Sequence, residues 1–308
     1  MLHRHPRRAC AGAITYAAAV SKGLDEHACI VTTAADAADA AALQGHETHI
    51  LPSDATLTFT HTYTLFGNHR RLRVPRHPSK VLSAADVPLR CRLARVLLIA
   101  PLTQQDVDAR SFTKPQGFFY RAASHLQRVG FLAQGYQRSI DSGGAVRHLA
   151  APSPLLLNAV TPRATLFLSD VETDPWSDEQ FSAVVNRSDA LVVTRGAKGV
   201  SLYRSGEEDT HVPARKVKAV DTNGAGDTFA TAHMLSRAQG LSEERALMRA
   251  TWMASRVCLR PQTCKPQCCT DAVREEDPET VQPPPQHAKP ATFAEKPAVP
   301  EGDPQVVA

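Results

Sequence analysis

Short apolar runs alternate with helical patterns along most of this chain, and this alternation is its strongest constraint on the fold. The runs typical of buried strands are residues 28–33, 47–51, 95–101, 165–169 and 190–194. The helical patterns are residues 118–129, 178–187 and 226–238, and an alanine-rich first helix is expected near residues 9–20. Alternating strands and helices predict a mostly parallel sheet covered by helices, which binds ligands beyond the carboxyl ends of its strands. The sequence therefore predicts an α/β fold.

A second pattern interrupts this alternation near residues 56–74. A period-two run from Thr56 to Tyr63 meets a basic segment, His69 to Val74, across Gly67-Asn68. Alternation on both sides of a Gly-Asn turn predicts a β-hairpin. Because a hairpin does not belong in a parallel sheet, we expect it to form a separate small sheet.

The carboxyl-terminal segment differs in composition from the rest of the chain. Residues 271–308 contain eight prolines and eight acidic residues but only three basic ones. Their formal net charge is therefore −5, in a chain whose total is +4. The remaining residues carry +9 and most of the 43% hydrophobic content, which is enough to form a core. We predict one domain over residues 1–270 and a disordered, acidic, Pro-rich tail over residues 271–308. A proline motif that binds a partner domain is the alternative for the tail.

The composition also bears on membranes and on the cellular compartment. No stretch reaches the roughly 18–20 apolar residues that a membrane helix needs, so no membrane partner is expected. Basic residues precede the run at residues 9–20, so a signal or transit peptide is the alternative to a first helix there. The cysteine number is odd, at seven, and four cysteines are scattered singly. This pattern indicates a reduced compartment rather than a disulfide framework. We predict a cytoplasmic protein, with organelle targeting left open.

Two weaker signals concern metals and nucleic acids. Cys264, Cys268 and Cys269 form a single cluster, whereas zinc sites usually pair two such clusters, so free thiols are the favoured interpretation. The basic run from His69 to Arg73 is interleaved with apolar residues and has no nucleic-acid-binding motif beside it. We therefore expect no nucleic-acid partner, although these arginines also suit a phosphate-bearing substrate.

The most informative segment is the string Asp-Thr-Asn-Gly-Ala-Gly-Asp-Thr-Phe at residues 221–229. It follows a short apolar approach at residues 217–220 and leads into the predicted helix. Gly224 and Gly226 allow a tight turn, with Ala225 between them, whose backbone N–H groups point outward at a helix N-terminus. Unpaired donors and the helix dipole both favour an anion there. The string therefore predicts an anion site.

Asp227 lies in the first helical turn, beside this predicted anion site. A carboxylate there can stay ionised and accept a proton from a substrate hydroxyl. An anion site next to a general base is the apparatus for phosphoryl transfer. The structural alternative is that Asp227 only stabilises the helix start and the glycines only form the turn. A P-loop kinase is excluded because its motif is absent, and a dinucleotide-binding motif would need a third glycine.

The complete string resembles the signature of the ribokinase/pfkB family of carbohydrate kinases, Asp-Thr-x-Gly-Ala-Gly-Asp-Thr/Ser-Phe, at every fixed position. The resemblance extends over most of residues 11–262. It implies a ribokinase-like three-layer sandwich with a mostly parallel central sheet and a small β-sheet lid at about residues 53–78. It also implies that Asp227 is the catalytic base and that Gly224, Ala225 and Gly226 hold the developing charge.

Other segments resemble further family motifs. Residues 191–200 resemble the strand and loop that contact ATP, which makes Thr194, Gly196 and Gly199, together with Asn223, candidate nucleotide contacts; a glycine hairpin is the alternative. Residues 168–172 occupy the place of an Asn-x-x-Glu motif associated with magnesium. Ser169 replaces its Asn there, and Glu172 keeps its spacing. Residues 134–138, with Arg138, resemble a Gln-Gly-Tyr/Phe-x-Arg segment to which we assign no role.

The amino end departs from the family pattern. Family members begin with a strand that carries an acidic residue for substrate hydroxyls, followed by a Gly-Gly segment. Here Ala11-Gly12 falls in the Gly-Gly place, and the ten residues before it show neither an acid nor a strand pattern. Either the first strand and its acid have been lost or the sequence begins late; in both cases we expect the first strand to be missing, with Gly12 as a candidate substrate contact. A missing central strand would expose sheet edges.

The resemblance implies an ATP-dependent phosphotransferase that acts on a hydroxyl of a small sugar, polyol or nucleoside. The implied cofactors are ATP and Mg²⁺, with a monovalent cation left open, and Glu172 would act on the metal indirectly. Asp221 would position the loop or a cation, or act as a purely structural residue at a strand end. Homodimerisation through the lid is the expected assembly. The alternative is a catalytically inactive ribokinase-fold protein that binds nucleotides or partners.

Overall fold

The computed structural model describes residues 12–36, 43, 45–63, 70–114 and 127–259. Four sequence predictions lie outside these residues: the tail at 271–308, the cysteine cluster at 264–269, the Gly67-Asn68 turn, and the first nine residues of the helix predicted at 118–129.

Twelve strands occur in the described residues. In chain order they are β1 (Cys29–Ala34), β2 (Glu47–Pro52), β3 (Thr60–Tyr63), β4 (Arg70–Arg73), β5 (Val96–Ile99), β6 (Arg128–Leu132), β7 (Arg138–Ile140), β8 (Val146–His148), β9 (Ala164–Ser169), β10 (Ala190–Thr194), β11 (Val200–Tyr203) and β12 (Thr210–Val212).

Eight α-helices occur in the described residues, one of them before β1. They are α1 (Ala13–Gly23), α2 (Leu89–Arg92), α3 (Ala109–Thr113), α4 (Pro154–Ala159), α5 (Asp170–Thr173), α6 (Asp178–Val185), α7 (Ala225–Ala238) and α8 (Glu243–Cys258). None of them is long and apolar enough to cross a membrane.

A six-stranded sheet forms the centre of the fold, with the strand order β12-β11-β10-β9-β6-β5. The four strands from β10 to β5 are parallel, and β11 and β12 extend the sheet as antiparallel strands. The parallel strands are apolar along their length because helices cover both faces, as parallel sheets require. This confirms the predicted mixed, mostly parallel α/β sheet.

Alternate residues of each central strand pack into two different hydrophobic clusters. In β9, Leu166 and Leu168 join one cluster, and Phe167 joins the other. The first cluster includes residues of α3, α4 and α6, and the second includes residues of α1, α7 and α8. Because side chains of a strand alternate between the faces of a sheet, these clusters are the two faces. The domain is therefore a three-layer α/β/α sandwich.

Two parts of the sequence reading are wrong. The helix predicted over residues 118–129 cannot extend to residue 129, because Arg128–Leu132 is β6, a strand inside the central sheet. Gly130 interrupts the apolar run of β6, so the strand pattern in the sequence is short. A Cβ at position 130 would lie 2.8 Å from Leu98 and 2.9 Å from Met234, so the fold leaves no space for a side chain there. The approach at residues 217–220 forms no strand and is exposed, and Asp221 is therefore not a strand-end residue. In addition, helix α8 was not predicted from the sequence.

The hairpin predicted near residues 56–74 is present as an antiparallel pair, β3 and β4, in the register Thr60 with Arg73. An isolated bridge between Arg73 and Ala145 joins β4 to the second hairpin, β7–β8. The Arg73 guanidinium also donates a hydrogen bond to the Gly143 carbonyl at 2.5 Å. The two hairpins thus form one small ribbon layer apart from the central sheet.

A covalent bond between two of the scattered cysteines departs from the expectation of a reduced chain without disulfides. Cys29 in β1 and Cys91 in α2 form a disulfide with Cα atoms 5.8 Å apart. Sequence spacing could not reveal this pair, since 62 residues separate the two cysteines. β1 pairs only with β2, in a parallel two-stranded sheet separate from the central one in the described residues. The disulfide ties this small sheet to the segment that leads into β5.

We predict that Gly135→Ala destabilises the domain. A Cβ at position 135 would lie 2.2 Å from the Pro101 carbonyl oxygen, which accepts a hydrogen bond from the Gly135 N–H at 3.1 Å. Backbone cannot yield as a flexible side chain does, so the free energy of unfolding should fall by about 1–3 kcal/mol. Denaturant unfolding checks this. Gly226→Ala is the matched control, because nothing lies within 4 Å of a Cβ there. Equal stability of the two variants would contradict the prediction.

Candidate active site

One wide cavity of about 2490 Å³ lies beside the carboxyl ends of the parallel strands. Its lining includes residues that directly follow β6, β9 and β10, together with the start of α7. This is the location at which open parallel sheets bind ligands. Every site residue predicted from the sequence lines this cavity: Gly12, Glu172, Thr194, Gly196, Gly199, Asn223, Gly224, Ala225, Gly226 and Asp227.

The start of α7 forms one wall of the cavity. Gly224 has a φ of 77°, the left-handed conformation that glycine adopts most easily, and it turns the chain into the helix. No side chain caps this helix start, whose first residues are Ala225, Gly226 and Asp227. Because a Cβ at Gly226 would meet nothing within 4 Å, the space beside the helix N-terminus is open. The first-turn N–H groups and the helix dipole thus favour an anion here.

Asp227 lies in this first turn and faces the cavity. Its residue is half-buried, but protein surrounds the carboxyl group on the sides away from the opening. This desolvation raises the pKa of Asp227 to about 6, and the positive charge of Arg138 opposes the rise. A carboxyl group with this pKa is mostly ionised at pH 7 and is a better proton acceptor than an ordinary aspartate.

Asp221 holds the loop that precedes the helix. Its Oδ1 accepts hydrogen bonds from the backbone N–H of Asn223 at 2.9 Å and from the Asn223 side-chain amide at 2.7 Å. The loop is also tied to the end of α8, because the N–H groups of Val220 and Asp221 donate to the Cys258 carbonyl. Asp221 therefore positions the loop, and the Asn223 amide that was predicted to contact nucleotide donates to Asp221.

The second predicted binding segment is the connection between β10 and β11. Thr194 ends β10, and a short 3-10 turn at Gly196–Lys198 leads to Gly199. Gly199 has a φ of 100°, and a Cβ there would lie 2.2 Å from the Val212 carbonyl oxygen. Glycine is thus required at position 199 by backbone geometry. The hairpin alternative and the nucleotide prediction are compatible, since this turn both joins antiparallel strands and faces the cavity.

Glu172 is buried at the start of the short helix α5, with only 2% of its surface exposed. Its Oε2 accepts hydrogen bonds from the backbone N–H and the hydroxyl of Ser169, and the two residues also form a capping box at the start of the helix. Its Oε1 accepts a hydrogen bond from the Gln134 amide at 3.0 Å. Both carboxylate oxygens therefore have protein partners, and Ser169, which departs from the family's Asn, takes part in holding Glu172.

Arg138 is the cavity residue to which the sequence reading assigned no role. It is 8% exposed, and its guanidinium donates to the Gln134 side-chain carbonyl at 2.6 Å and to the Leu102 carbonyl at 3.1 Å. Its positive charge lies on the lining of the same cavity as Asp227 and favours the ionised carboxylate. The segment at residues 134–138 could be recognised in the sequence, but only the fold shows that it follows β6 and lies at the same cavity as Asp227.

The ribbon layer contributes two further side chains near Arg138. The guanidinium carbon of Arg138 lies 5.2 Å from the centre of the Phe59 ring, just before β3, in a cation–π contact. His148, at the end of β8, has its Nδ1 3.8 Å from Oε1 of Glu172. Burial lowers the pKa of His148; Glu172 opposes and Arg138 adds to this shift. Neither residue was singled out in the sequence.

Basic residues near the rim complete the electrostatics of the site. Arg215 and Lys216 follow β12 and line the cavity close in sequence to the Gly224 turn. With Arg138 and the α7 N-terminus, they add positive charge to a lining that also includes the carboxyl groups of Asp227 and Glu172. Such an arrangement can hold several phosphate oxygens while leaving one carboxylate as a proton acceptor.

Gly12 and α1 close the other side of the turn. Gly12 precedes α1 and lines the cavity, and nothing lies within 4 Å of a Cβ built on it. In α1, the Tyr16 ring packs on Gly224 so closely that a Cβ at position 224 would lie 2.1 Å from Cζ of Tyr16. The first helix is therefore part of the support of the anion site.

Comparison with solved structures identifies the fold class. The chain is similar to a pyrophosphate-dependent kinase in the ribokinase family, with a TM-score of 0.67 and 15% sequence identity over 84% of this chain and 90% of that one. It is also similar to Arabidopsis thaliana ribokinase complexed with ribose and ATP, with a TM-score of 0.61 and 19% identity over 86% and 88% of the two chains. The structure therefore has the ribokinase fold.

Sequence comparison identifies the family segment. Residues 168–268 match the pfkB family of carbohydrate kinases, a stretch that includes Glu172, the β10–β11 turn and the 221–229 string. A 58-residue stretch is 43% identical to the bifunctional protein HldE of Psychromonas ingrahamii and covers 19% of this chain. The match spans only 12% of the length of that relative. The ribokinase/pfkB resemblance read from the signature is thus confirmed.

We predict that Arg138→Gln raises the pKa of Asp227 further above its ordinary value. The positive charge of Arg138 favours the ionised carboxylate, so its removal favours the protonated form. Carboxyl carbon chemical shifts of Asp227, followed by NMR as a function of pH, check this. Arg147→Gln removes an exposed arginine from the same hairpin and should leave the titration unchanged. An unchanged Asp227 titration in Arg138→Gln would show that the two charges do not interact.

Proposed function

We propose that this protein transfers a phosphoryl group from ATP to a hydroxyl of a small sugar, polyol or nucleoside. The observation that carries the proposal is Asp227, a carboxylate of raised pKa in the first turn of a helix whose N-terminus opens on the cavity. The match to the pfkB carbohydrate kinases and the ribokinase fold support the same reaction class.

In this proposal, the ionised Asp227 accepts the proton of the acceptor hydroxyl as its oxygen attacks the terminal phosphorus of the donor. The new P–O bond forms while the bond to the leaving diphosphate breaks, and the electron pair of that bond stays on the diphosphate. Arg138 and the first-turn N–H groups of α7 stabilise the charge on the transferred group. The pKa of about 6 keeps Asp227 ionised at neutral pH while making it a useful base.

The donor would bind along the β10–β11 turn and the α7 N-terminus. Thr194, Gly196, Gly199 and Asn223 are the proposed nucleotide contacts, and the phosphates would lie toward Arg215 and Lys216. One similar structure is of a ribokinase complexed with ribose and ATP, and another is of a pyrophosphate-dependent kinase. Because a phosphate-binding helix N-terminus suits both donors, assays should include pyrophosphate beside ATP.

Glu172 is the residue of the site that would act on magnesium, through a bound water. Magnesium prefers carboxylate oxygens and keeps several waters when it binds phosphates. Both oxygens of Glu172 already accept hydrogen bonds from Ser169 or Gln134, so contact with an ion through a water keeps these bonds intact. When bound to the donor, magnesium neutralises phosphate charge.

The acceptor would lie between Gly12, Asp227 and the β3–β4 ribbon, which we propose as the lid. Phe59, just before β3, contacts Arg138, so the ribbon adjoins the side of the site where the phosphates would bind. Within the described residues, β3 has no strand partner on its outer edge. We propose that a second copy of the chain covers this edge, because open edges favour strand pairing.

We predict that Asp227→Asn lowers kcat by a factor of about 10²–10⁴, because the amide cannot accept the hydroxyl proton. The affinity for ATP should stay within a few-fold, since the amide keeps the shape of the site. ADP release with MgATP and a panel of sugars, polyols and nucleosides measures the first effect, and calorimetric ATP titration measures the second.

Folding stability provides the control for this variant. The pKa of Asp227 is higher in the folded chain than in the unfolded one, so ionisation of this group lowers stability as pH rises from 3.8 through about 6. Asp227→Asn should therefore be at least as stable as the wild type at pH 7. Retained turnover in the variant would remove Asp227 from the mechanism. ATP binding by a wild-type chain that turns over no acceptor would favour the inactive-scaffold alternative.

We further predict that activity rises with pH through a single ionisation near pH 6 and levels off above it. The base must be deprotonated to act, and burial raises the pKa of Asp227 to about 6. The pH dependence of kcat/KM between pH 5 and 8 tests this. The acidic limb should move to higher pH in Arg138→Gln and stay in place in Arg147→Gln. A flat profile over this range would contradict the assignment.

A further inference from the structure

The region around the disulfide contains two more metal-binding side chains. Cys29, Cys91, His49 and Glu47 have ligand atoms that all lie within 4.8 Å of one another. The carboxylate oxygen Oε1 of Glu47 lies 3.4 Å from Sγ of Cys91, 3.7 Å from Sγ of Cys29 and 2.7 Å from Nε2 of His49. A structural disulfide requires only the two sulfurs, so the convergence of a carboxylate and an imidazole on them calls for another explanation.

Strand register explains how the fold brings these groups together. Cys29 and Glu47 are directly paired in the parallel ladder of β1 and β2, and Val31 pairs with His49. Glu47 and His49 are two residues apart in β2, so both project from the same face as Cys29. Helix α2 supplies Cys91 to this face. Three separate elements thus contribute one compact group of ligands.

We propose that the reduced protein binds one zinc ion through Cys29, Cys91, His49 and Glu47. Two thiolates, an imidazole and a carboxylate form a tetrahedral set of the kind that zinc prefers. The side chains of His49 and Glu47 are 32% and 23% exposed, so an ion can reach the site from solvent. Cys29 and Cys91 also line the wide cavity, but none of the four ligands is among the residues proposed for phosphoryl transfer.

Charge balance also fits a divalent ion. Two thiolates and Glu47 carry three negative charges, and zinc supplies two positive ones. The Arg90 guanidinium, whose Nη2 lies 2.6 Å from Oε1 of Glu47, supplies the third. Since Glu47 has a second oxygen, it can bind the ion and still accept a hydrogen bond from Arg90. The complete group is then neutral, which lowers the cost of its partial burial.

The chemical step is an exchange of cross-links. A dithiol reductant supplies two electrons that cleave the Cys29–Cys91 bond, and the reductant itself becomes a disulfide. The two thiols then lose their protons as zinc binds their sulfurs. The bound ion joins β1, β2 and α2, as the disulfide joins β1 and α2. The proposal therefore describes one cross-link with an oxidised and a metal-bound form.

Cobalt binding to the full-length chain tests this site. The background variant replaces the other five cysteines with serine: Cys10, Cys258, Cys264, Cys268 and Cys269. After reduction, confirmed by two titratable thiols, cobalt(II) is added under anaerobic conditions. We expect one equivalent to bind with tetrahedral d–d bands and a thiolate-to-cobalt charge-transfer band, and zinc to displace it. Zinc should also raise the Tm of the reduced chain and leave that of the oxidised chain unchanged.

Variants of the four ligands distinguish this site from adventitious binding. Cys29→Ser with Cys91→Ser should abolish the charge-transfer band, and His49→Gln or Glu47→Gln should weaken binding at least about tenfold. His27→Gln, which replaces an exposed histidine near β1, should bind as the background does. Three results would overturn the proposal. They are a folded, reduced chain that binds no cobalt, binding that survives loss of both cysteines, and a disulfide that resists reduction in the folded chain.

Discussion

Parallel pairing of β6, β9 and β10 places the carboxyl ends of three strands at one edge of the central sheet. The Arg138 segment, the Glu172 helix and the 194–199 turn each follow one of these strands, and they reach the cavity for that reason alone. The start of α7 completes the site from the face of the sheet. Each strand is buried on both faces, so its register is fixed by packing, and the positions of the polar residues at its end are fixed with it.

The start of α7 combines two requirements that oppose one another. Burial around Asp227 disfavours a charged carboxylate, whereas the positive environment of Arg138 and the helix N-terminus favours it. The balance leaves a group that ionises near neutral pH, at a cost in stability that function would explain. Asp221 and the end of α8 hold the surrounding loop in place. The environment that sets the pKa of Asp227 is therefore fixed by neighbouring residues.

The sequence predicted features that depend on local pattern. The bounds of β10 and the start of α7 follow from uninterrupted apolar runs and from a glycine turn, and the 221–229 string pointed to the anion site. Features that depend on distant contacts were missed. β6 is short and contains Gly130, which packs against Met234, so only its neighbours reveal it as a strand. The charge of Arg138 acts on Asp227, and Cys29 bonds to Cys91, only once the chain is folded.

The contact between Tyr16 and Gly224 has a consequence for how such a protein can evolve. The ring lies where a Cβ at position 224 would be, and position 224 has a left-handed turn that glycine adopts without strain. A side chain at position 224 would therefore have to displace the Tyr16 ring and also adopt a conformation that L-residues rarely take. Substitution at position 224 meets two separate obstacles, and a smaller residue at position 16 would remove only one of them.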